Sequence, residues 1–129
     1  MWTDWVRGTE REVAMLVVED NEDIRYLLNV IIDLHPDLEL SGTANDAEEG
    51  LRLWRELQPS LVVLDYRLPG RDGLELAADM LSERPEQDIL LFSAYLDDHT
   101  VKRALEIGIR ECISKDHINR LVELLEAAS

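Results

Sequence analysis

The chain has 129 residues, enough for one domain with a proper core, and its 46% hydrophobic and 32% charged content is that of a globular protein. Against 13 Lys and Arg stand 28 Asp and Glu, a formal charge of −15, so the surface repels phosphate backbones and direct nucleic-acid binding is not expected. A single cysteine, Cys112, excludes an internal disulfide and a cysteine-based zinc site, and no apolar run approaches the ~20 residues of a membrane span.

Residues 1–12, MWTDWVRGTERE, are too charged for a secretory signal, so a soluble, cytoplasmic protein is expected. They show no consistent period and read as an N-terminal extension to a domain over 13–129. Trp2 and Trp5 belong to a loose segment or to a short helical turn packed on the domain. Residues 13–18 form a continuous apolar run that ends on Glu19 and Asp20, as a buried parallel strand reads. Asn21 is placed to cap a helix whose apolar residues Ile24, Leu27, Leu28, Ile31 and Ile32 fall at helical spacing, and His35-Pro36 ends it. Residues 38–44 alternate only in part, the pattern of a strand near a sheet edge. Asn45 with Glu48 three residues on resembles a capping box, and Ala47, Gly50, Leu51, Trp54 and Leu57 mark one face of a second helix that Pro59 stops.

The third strand, Leu-Val-Val-Leu at 61–64, stops on Asp65, and the turn formers Pro69, Gly70, Asp72 and Gly73 follow. A helix over 73–84 turns Leu74, Ala77, Ala78 and Leu81 inward and closes before Pro85. Residues 89–92 make a fourth strand ending on Ser93-Ala94. Residues 97–107 make a helix on Val101, Ala104 and Leu105, with Gly108 just past its end. Residues 110–114 make a fifth strand ending at Lys115, and Asp116 caps a last amphipathic helix carrying Ile118, Leu121, Val122 and Leu125.

Strict alternation of five strands and five helices predicts an α/β fold, a doubly wound five-stranded parallel sheet in the flavodoxin-like order 2-1-3-4-5. The carboxyl ends of the strands then share one edge, where open sheets of this kind bind ligands. Glu19, Asp20, Asp65, Ser93 and Lys115 all arrive there. Three acids in one crevice call for a cation, and a hard divalent ion with oxygen ligands, Mg²⁺, answers. Asp65, alone at the tip of the central strand, is the best-placed nucleophile for an aspartyl phosphate. Phosphoryl transfer asks for positioning and charge neutralisation, which Mg²⁺, Lys115 and the Ser93 hydroxyl could supply. Glu19 and Asp20 fall to metal ligation, directly or through water.

The chain from about Val13 to Ala127 resembles the receiver domain of two-component response regulators. The matching pieces are VVEDN at 17–21, VVLDYRLPGRDG at 62–73, FSA at 92–94 and SKD at 114–116. Each is weak alone, but their order and spacing are specific. The resemblance implies a signalling switch rather than a turnover enzyme. Asp65 would accept a phosphoryl group from a sensor histidine kinase, a phosphotransfer protein or a small acyl phosphate. It implies Glu19, Asp20, Asp65 and the backbone carbonyl of Arg67 around Mg²⁺, Ser93 as switch hydroxyl, and Lys115 as the phosphate-pairing lysine. It also implies a homodimer or partner surface on the fourth helix, fifth strand and fifth helix, and leaves open a stand-alone receiver or one joined to an output domain.

There are departures from the family pattern. Glu19 stands where Asp is commoner, and Asp116 replaces the proline after the lysine, so no cis peptide bond is expected there. Cys112 occupies the place of the usual aromatic switch, and Tyr95 is the nearest ring to Ser93. Ile109 and Glu111 stand where small residues are commoner. Arg67 lies beside the phosphoryl position, placed to alter the hydrolysis rate. Two other readings stay open: a receiver-like interaction module that no longer takes phosphate, and a small-molecule phosphatase. The phosphatase reading wants an acid where Arg67 stands.

Overall fold

Strand and helix alternate from Val13 to Ala128 in the computed structural model, which describes residues 13–128. The expected extension at 1–12, with Trp2 and Trp5, lies outside the described residues. The elements are β1 (Val13–Val18), α1 (Glu22–Asp33), β2 (Leu38–Ala44), α2 (Ala47–Leu57), β3 (Leu61–Leu64) and α3 (Gly73–Glu83). They continue with β4 (Asp88–Ser93), α4 (Asp98–Ile107), β5 (Glu111–Ser114), a 3-10 turn (Lys115–His117) and α5 (Ile118–Ala128). All strand pairs are parallel and the order is β2-β1-β3-β4-β5, as the alternation predicts.

Period-two alternation divides the core into two layers. Leu16, Val18, Val62, Leu64, Ile89 and Leu91 face α2, α3 and α4, where Trp54, Leu76, Ala77, Met80 and Ala104 pack on them. Met15, Val17, Val63, Leu90, Phe92 and Ile113 face α1 and α5, meeting Leu28, Ile32, Leu121 and Leu125. β3 is buried along its whole length because it is central and covered on both faces, whereas the edge strand β2 is buried only at its two ends. Trp54 is fully buried, and its indole N–H donates to Gln87 Oε1 at 2.9 Å, so the ring is desolvated without leaving a polar atom unpaired.

Several local expectations shift. Asp46, one residue past Asn45, caps α2, its side chain accepting from the Glu49 N–H at 2.8 Å. Ala47 is buried against the sheet and so must already be helical, which leaves the cap to the residue before it. A reciprocal capping box does form, but on α3, between Asp72 and Glu75. α3 buries Gly73, Leu76, Ala77 and Met80 together with Leu74 and Leu81, so Ala78 falls outside the stripe and is exposed. α4 faces the sheet through Thr100, Ala104 and Ile107, which turns Leu105 outward to 52% exposure. Leu27 likewise sits at the margin of the α1 stripe, 41% exposed. Ser114, not Asp116, caps the turn after β5, accepting from the Asp116 N–H at 3.2 Å, and α5 begins only at Ile118. No cis peptide bond is present among the described residues, and no helix there is long and apolar enough to cross a membrane.

Candidate functional site

Parallel registry levels the strand ends. Val18 pairs with Leu64, Leu64 with Leu91, and Ser93 with Ser114. The ladder continues one residue beyond the strands: the Asp65 N–H donates to the Val18 carbonyl at 3.0 Å and the Glu19 N–H to the Ala44 carbonyl at 2.9 Å. Glu19, Asp65, Ser93 and Lys115, from four strands, are thereby delivered to one edge, as the topology predicts.

Lys115 Nζ lies 2.8 Å from Glu19 Oε1 and 2.9 Å from Asp65 Oδ2, bridging the two acids. Glu19 is 2% exposed and Asp65 6%, so this is a desolvated ion-pair cluster, not a surface one. The remaining carboxylate oxygens are held by backbone amides: Asp65 Oδ1 accepts from the Tyr66 N–H at 2.7 Å and Glu19 Oε2 from the Asn21 N–H at 3.1 Å. Asp20 is exposed, and each of Glu19, Asp20 and Asp65 brings a carboxylate oxygen within 4.8 Å of the others.

Burial pushes the Glu19 carboxyl up to about 7, and the Asp65 charge adds to this, against the lowering by Lys115 and the Asn21 N–H. For Lys115, burial works against the charge, but hydrogen bonds to Glu19 and Asp65 outweigh it and hold the ammonium above the ordinary lysine value. One ammonium among three acids leaves excess negative charge. A donor set made wholly of carboxylate oxygens, with exposed Asp20 open to solvent, fits a hard divalent cation such as Mg²⁺.

The Glu19 shift fixes the sign of a pH effect. Its folded value of about 7 lies above the ordinary 4.5, so in chelator its contribution to stability falls as pH rises through that window. Glu19→Gln should therefore raise the unfolding midpoint at pH 8, and the gain should vanish below pH 4.5. A gain that is the same at every pH would show that Glu19 does not titrate in the folded site.

Ser93 is fully buried, and its Oγ accepts from the Tyr95 N–H at 3.2 Å. The Arg67 side chain, expected beside the phosphoryl position, stacks its guanidinium 4.0 Å from the centroid of the Tyr95 ring. At an exposed site such a pair contributes about 0.5–1 kcal/mol, enough to favour the guanidinium on the ring. Cys112 is half-buried against the core layer of α2 to α4, and burial raises its thiol, so it is a packing residue and not a thiolate. Two contributors carry no sequence signal of their own. Arg25 donates to the Glu19 carbonyl at 2.7 Å, from six residues away. Gly73, expected as a turn former at the start of the helix, also donates its N–H to the Tyr66 carbonyl at 2.6 Å and lets α3 begin directly on the end of β3.

A cleft of about 810 Å³ lies between α2 and the loop before α3, lined in part by Leu51, Arg52, Arg55, Pro69 and Arg71. Its arginines are each paired with acids of α2 or α3, so their positive charge is already compensated within the protein. The chemistry belongs to the strand-end crevice.

Residues 15–126 match the response regulator receiver domain family. The transcriptional regulatory protein LiaR of Bacillus subtilis is 29% identical over 118 residues, covering 91% of this chain and 56% of that protein. A protein-glutamate methylesterase/protein-glutamine glutaminase of Saccharophagus degradans is 33% identical over 103 residues, covering 79% of this chain and 28% of that protein. The chain thus spans little over half of one relative and under a third of the other. Among solved structures, a LuxR-family two-component response regulator from Aurantimonas superposes with a TM-score of 0.84 at 28% identity, over 90% of this chain and 84% of that one. The response regulator domain of Thermotoga maritima CheB gives a TM-score of 0.81 at 27% identity, over 92% and 94%.

Proposed function

The chain belongs to the response regulator receiver domain family, and from that premise we propose that it is a Mg²⁺-dependent switch whose phosphoryl acceptor is Asp65. The observation that carries this reading is the Lys115 bridge: one ammonium, from the end of β5, holds both Glu19 and Asp65 at hydrogen-bond distance. That arrangement gives the buried Asp65 side chain a counter-charge and puts a cation where phosphoryl oxygens would arrive.

In the proposed reaction a carboxylate oxygen of Asp65 forms a bond to phosphorus. The P–N bond of a phosphohistidine, or the P–O bond of an acyl phosphate, breaks, and the donor's imidazole or carboxylate leaves with the electron pair. Glu19, Asp20, Asp65 and the Arg67 backbone carbonyl are the proposed ligands of Mg²⁺, which neutralises charge on the phosphoryl oxygens when bound. Lys115 keeps its place beside Asp65 and pairs with one phosphoryl oxygen, and the Ser93 hydroxyl donates to another. The phosphorylated form then differs from the resting one by contacts at β4 and β5, which bias a bistable segment after β4.

The donor is a sensor histidine kinase or a phosphotransfer protein in the cytoplasm, and the surface of α4, β5 and α5 is where a second copy or an output domain would be met. Receiver domains are signalling switches, so turnover of a small phosphate ester is not proposed. The interaction module that takes no phosphate is the competing reading. Incubation with acetyl phosphate and Mg²⁺, followed by intact mass measurement, separates them. We expect one phosphoryl adduct on the wild-type chain and none on Asp65→Asn. No adduct on the wild type would favour the competing module, and an adduct surviving Asp65→Asn would overturn the assignment. Hydrolysis of aryl phosphate well beyond one equivalent would revive the phosphatase.

A further inference from the structure

Two side chains meet between the loops that follow β3 and β4. Arg67 lies two residues past Asp65 and Tyr95 two residues past Ser93, and the guanidinium sits 4.0 Å from the ring centroid. The stack therefore spans the gap between the loop after β3 and the loop after β4. Each half is tied by two peptide units to a residue of the proposed phosphoryl site.

We propose that the Arg67–Tyr95 stack is a latch, closed while Ser93 holds the Tyr95 N–H, and that a phosphoryl group on Asp65 opens it. The proposal rests on the phospho-acceptor reading above. Its physical basis is the hydrogen-bond inventory of Ser93. A hydroxyl has one hydrogen to give and two lone pairs to accept with. In the resting structure the Oγ accepts from the Tyr95 N–H at 3.2 Å, the long end of the normal range. Donating its hydrogen to a phosphoryl oxygen requires this fully buried hydroxyl to turn and shift toward Asp65, which weakens the contact with the Tyr95 amide. The backbone at Tyr95 is then freed from its anchor, and the ring moves with it.

The second half of the latch responds as well. Arg67 is exposed, and the growing negative charge two residues before it offers the guanidinium an alternative partner to the ring. Both changes act in the same direction, against the stack. A weak, solvent-exposed contact is suited to this use, since a single lost hydrogen bond can release it. Cys112 gives β5 no ring opposite Leu91, and Tyr95, 56% exposed, is the ring whose backbone is bonded to Ser93. In this chain the state of the buried hydroxyl thus reaches the surface through the Tyr95 amide. Opening separates an aromatic ring and a guanidinium, the residue types enriched at protein interfaces, beside the start of α4.

The test uses the whole chain labelled with 3-fluorotyrosine. It has three tyrosines, and Tyr95→Phe identifies the resonance of Tyr95. At rest, Arg67→Met, which keeps length and loses charge, should move the Tyr95 fluorine signal away from its wild-type position. Acetyl phosphate with Mg²⁺ should move the wild-type Tyr95 signal toward the Arg67→Met position, a larger shift than that of exposed Tyr26 on α1. Ser93→Ala should already lie near that position without phosphate. Intact mass is read from the same samples. A phosphoryl adduct with an unmoved Tyr95 signal overturns the latch alone, as does an Arg67→Met signal identical to wild type at rest. No adduct on the wild type overturns the phospho-acceptor reading, and the latch falls with it.

Discussion

Lys115→Met is expected to destabilise the metal-free protein by about 3 kcal/mol, the lower part of the range for breaking a buried ion pair. The substitution keeps the volume of the stem and removes the charge that two nearly buried acids share. Neither acid can turn to water, because Glu19 and Asp65 are 2% and 6% exposed. The loss stays near the lower end because Glu19, already held at about 7, can take up a proton and relieve part of the repulsion. Urea unfolding in chelator measures the loss, and repeating it with saturating Mg²⁺ should recover much of it, since the ion replaces the missing positive charge. If the variant matched wild type in chelator, the ammonium would not be what neutralises the crevice. Adding Glu19→Gln to Lys115→Met should also restore stability, because the two residues are in contact and their effects are not additive.

Gly73→Ala should be as damaging for a different reason. A methyl group at this position would fall within contact distance of the Asp65 carbonyl oxygen and 2.7 Å from Leu64 Cδ1. The nearest obstacle is backbone, which cannot rotate aside. Overpacking against side chains costs about 1–3 kcal/mol, and against the end of β3 we expect about 3 kcal/mol or more. The shift needed to relieve it would displace Asp65 itself, so phosphoryl incorporation should fall along with stability. Gly70→Ala is the matching control. Gly70 has φ of +89° and nothing within 4 Å of the added methyl, so only the left-handed backbone resists, at about 1 kcal/mol. Thermal unfolding of the two variants side by side separates close approach from backbone conformation. Equal losses would contradict the close-packing account of Gly73.

The strand-end residues were legible because parallel topology converts chain order into position. Once five apolar runs alternate with five helical stripes, every residue that ends a run must arrive at the same edge. Glu19, Asp65, Ser93 and Lys115 are found there without adjustment. What local pattern could not carry is the direction of long side chains toward partners distant in sequence. Arg67 reads as a neighbour of Asp65, but its guanidinium is held by Tyr95, 28 positions further on. Trp54 reads as core, yet the amide that satisfies its indole is Gln87, from the turn before β4. Caps slipped by a residue or two because cap-forming residues come in pairs: Asn45 beside Asp46, and Ser114 close to Asp116. Burial of the next apolar residue decides between the first two, and the hydroxyl before a 3-10 turn decides the second. Leu105 was misplaced because α4 meets the sheet through Thr100, Ala104 and Ile107, a phase that only the packing against β5 and α3 sets.

The proposed switch turns on a phosphoryl group bonded to the carboxylate at the tip of β3. Reduction of the acetyl-phosphate-treated protein with borohydride converts an aspartyl phosphate to homoserine, and fragmentation of the peptide spanning 61–73 locates it. Homoserine is expected at position 65, with Glu19 and Asp20 unchanged. Conversion at either of those acids, or none anywhere in a protein that binds Mg²⁺, would contradict it.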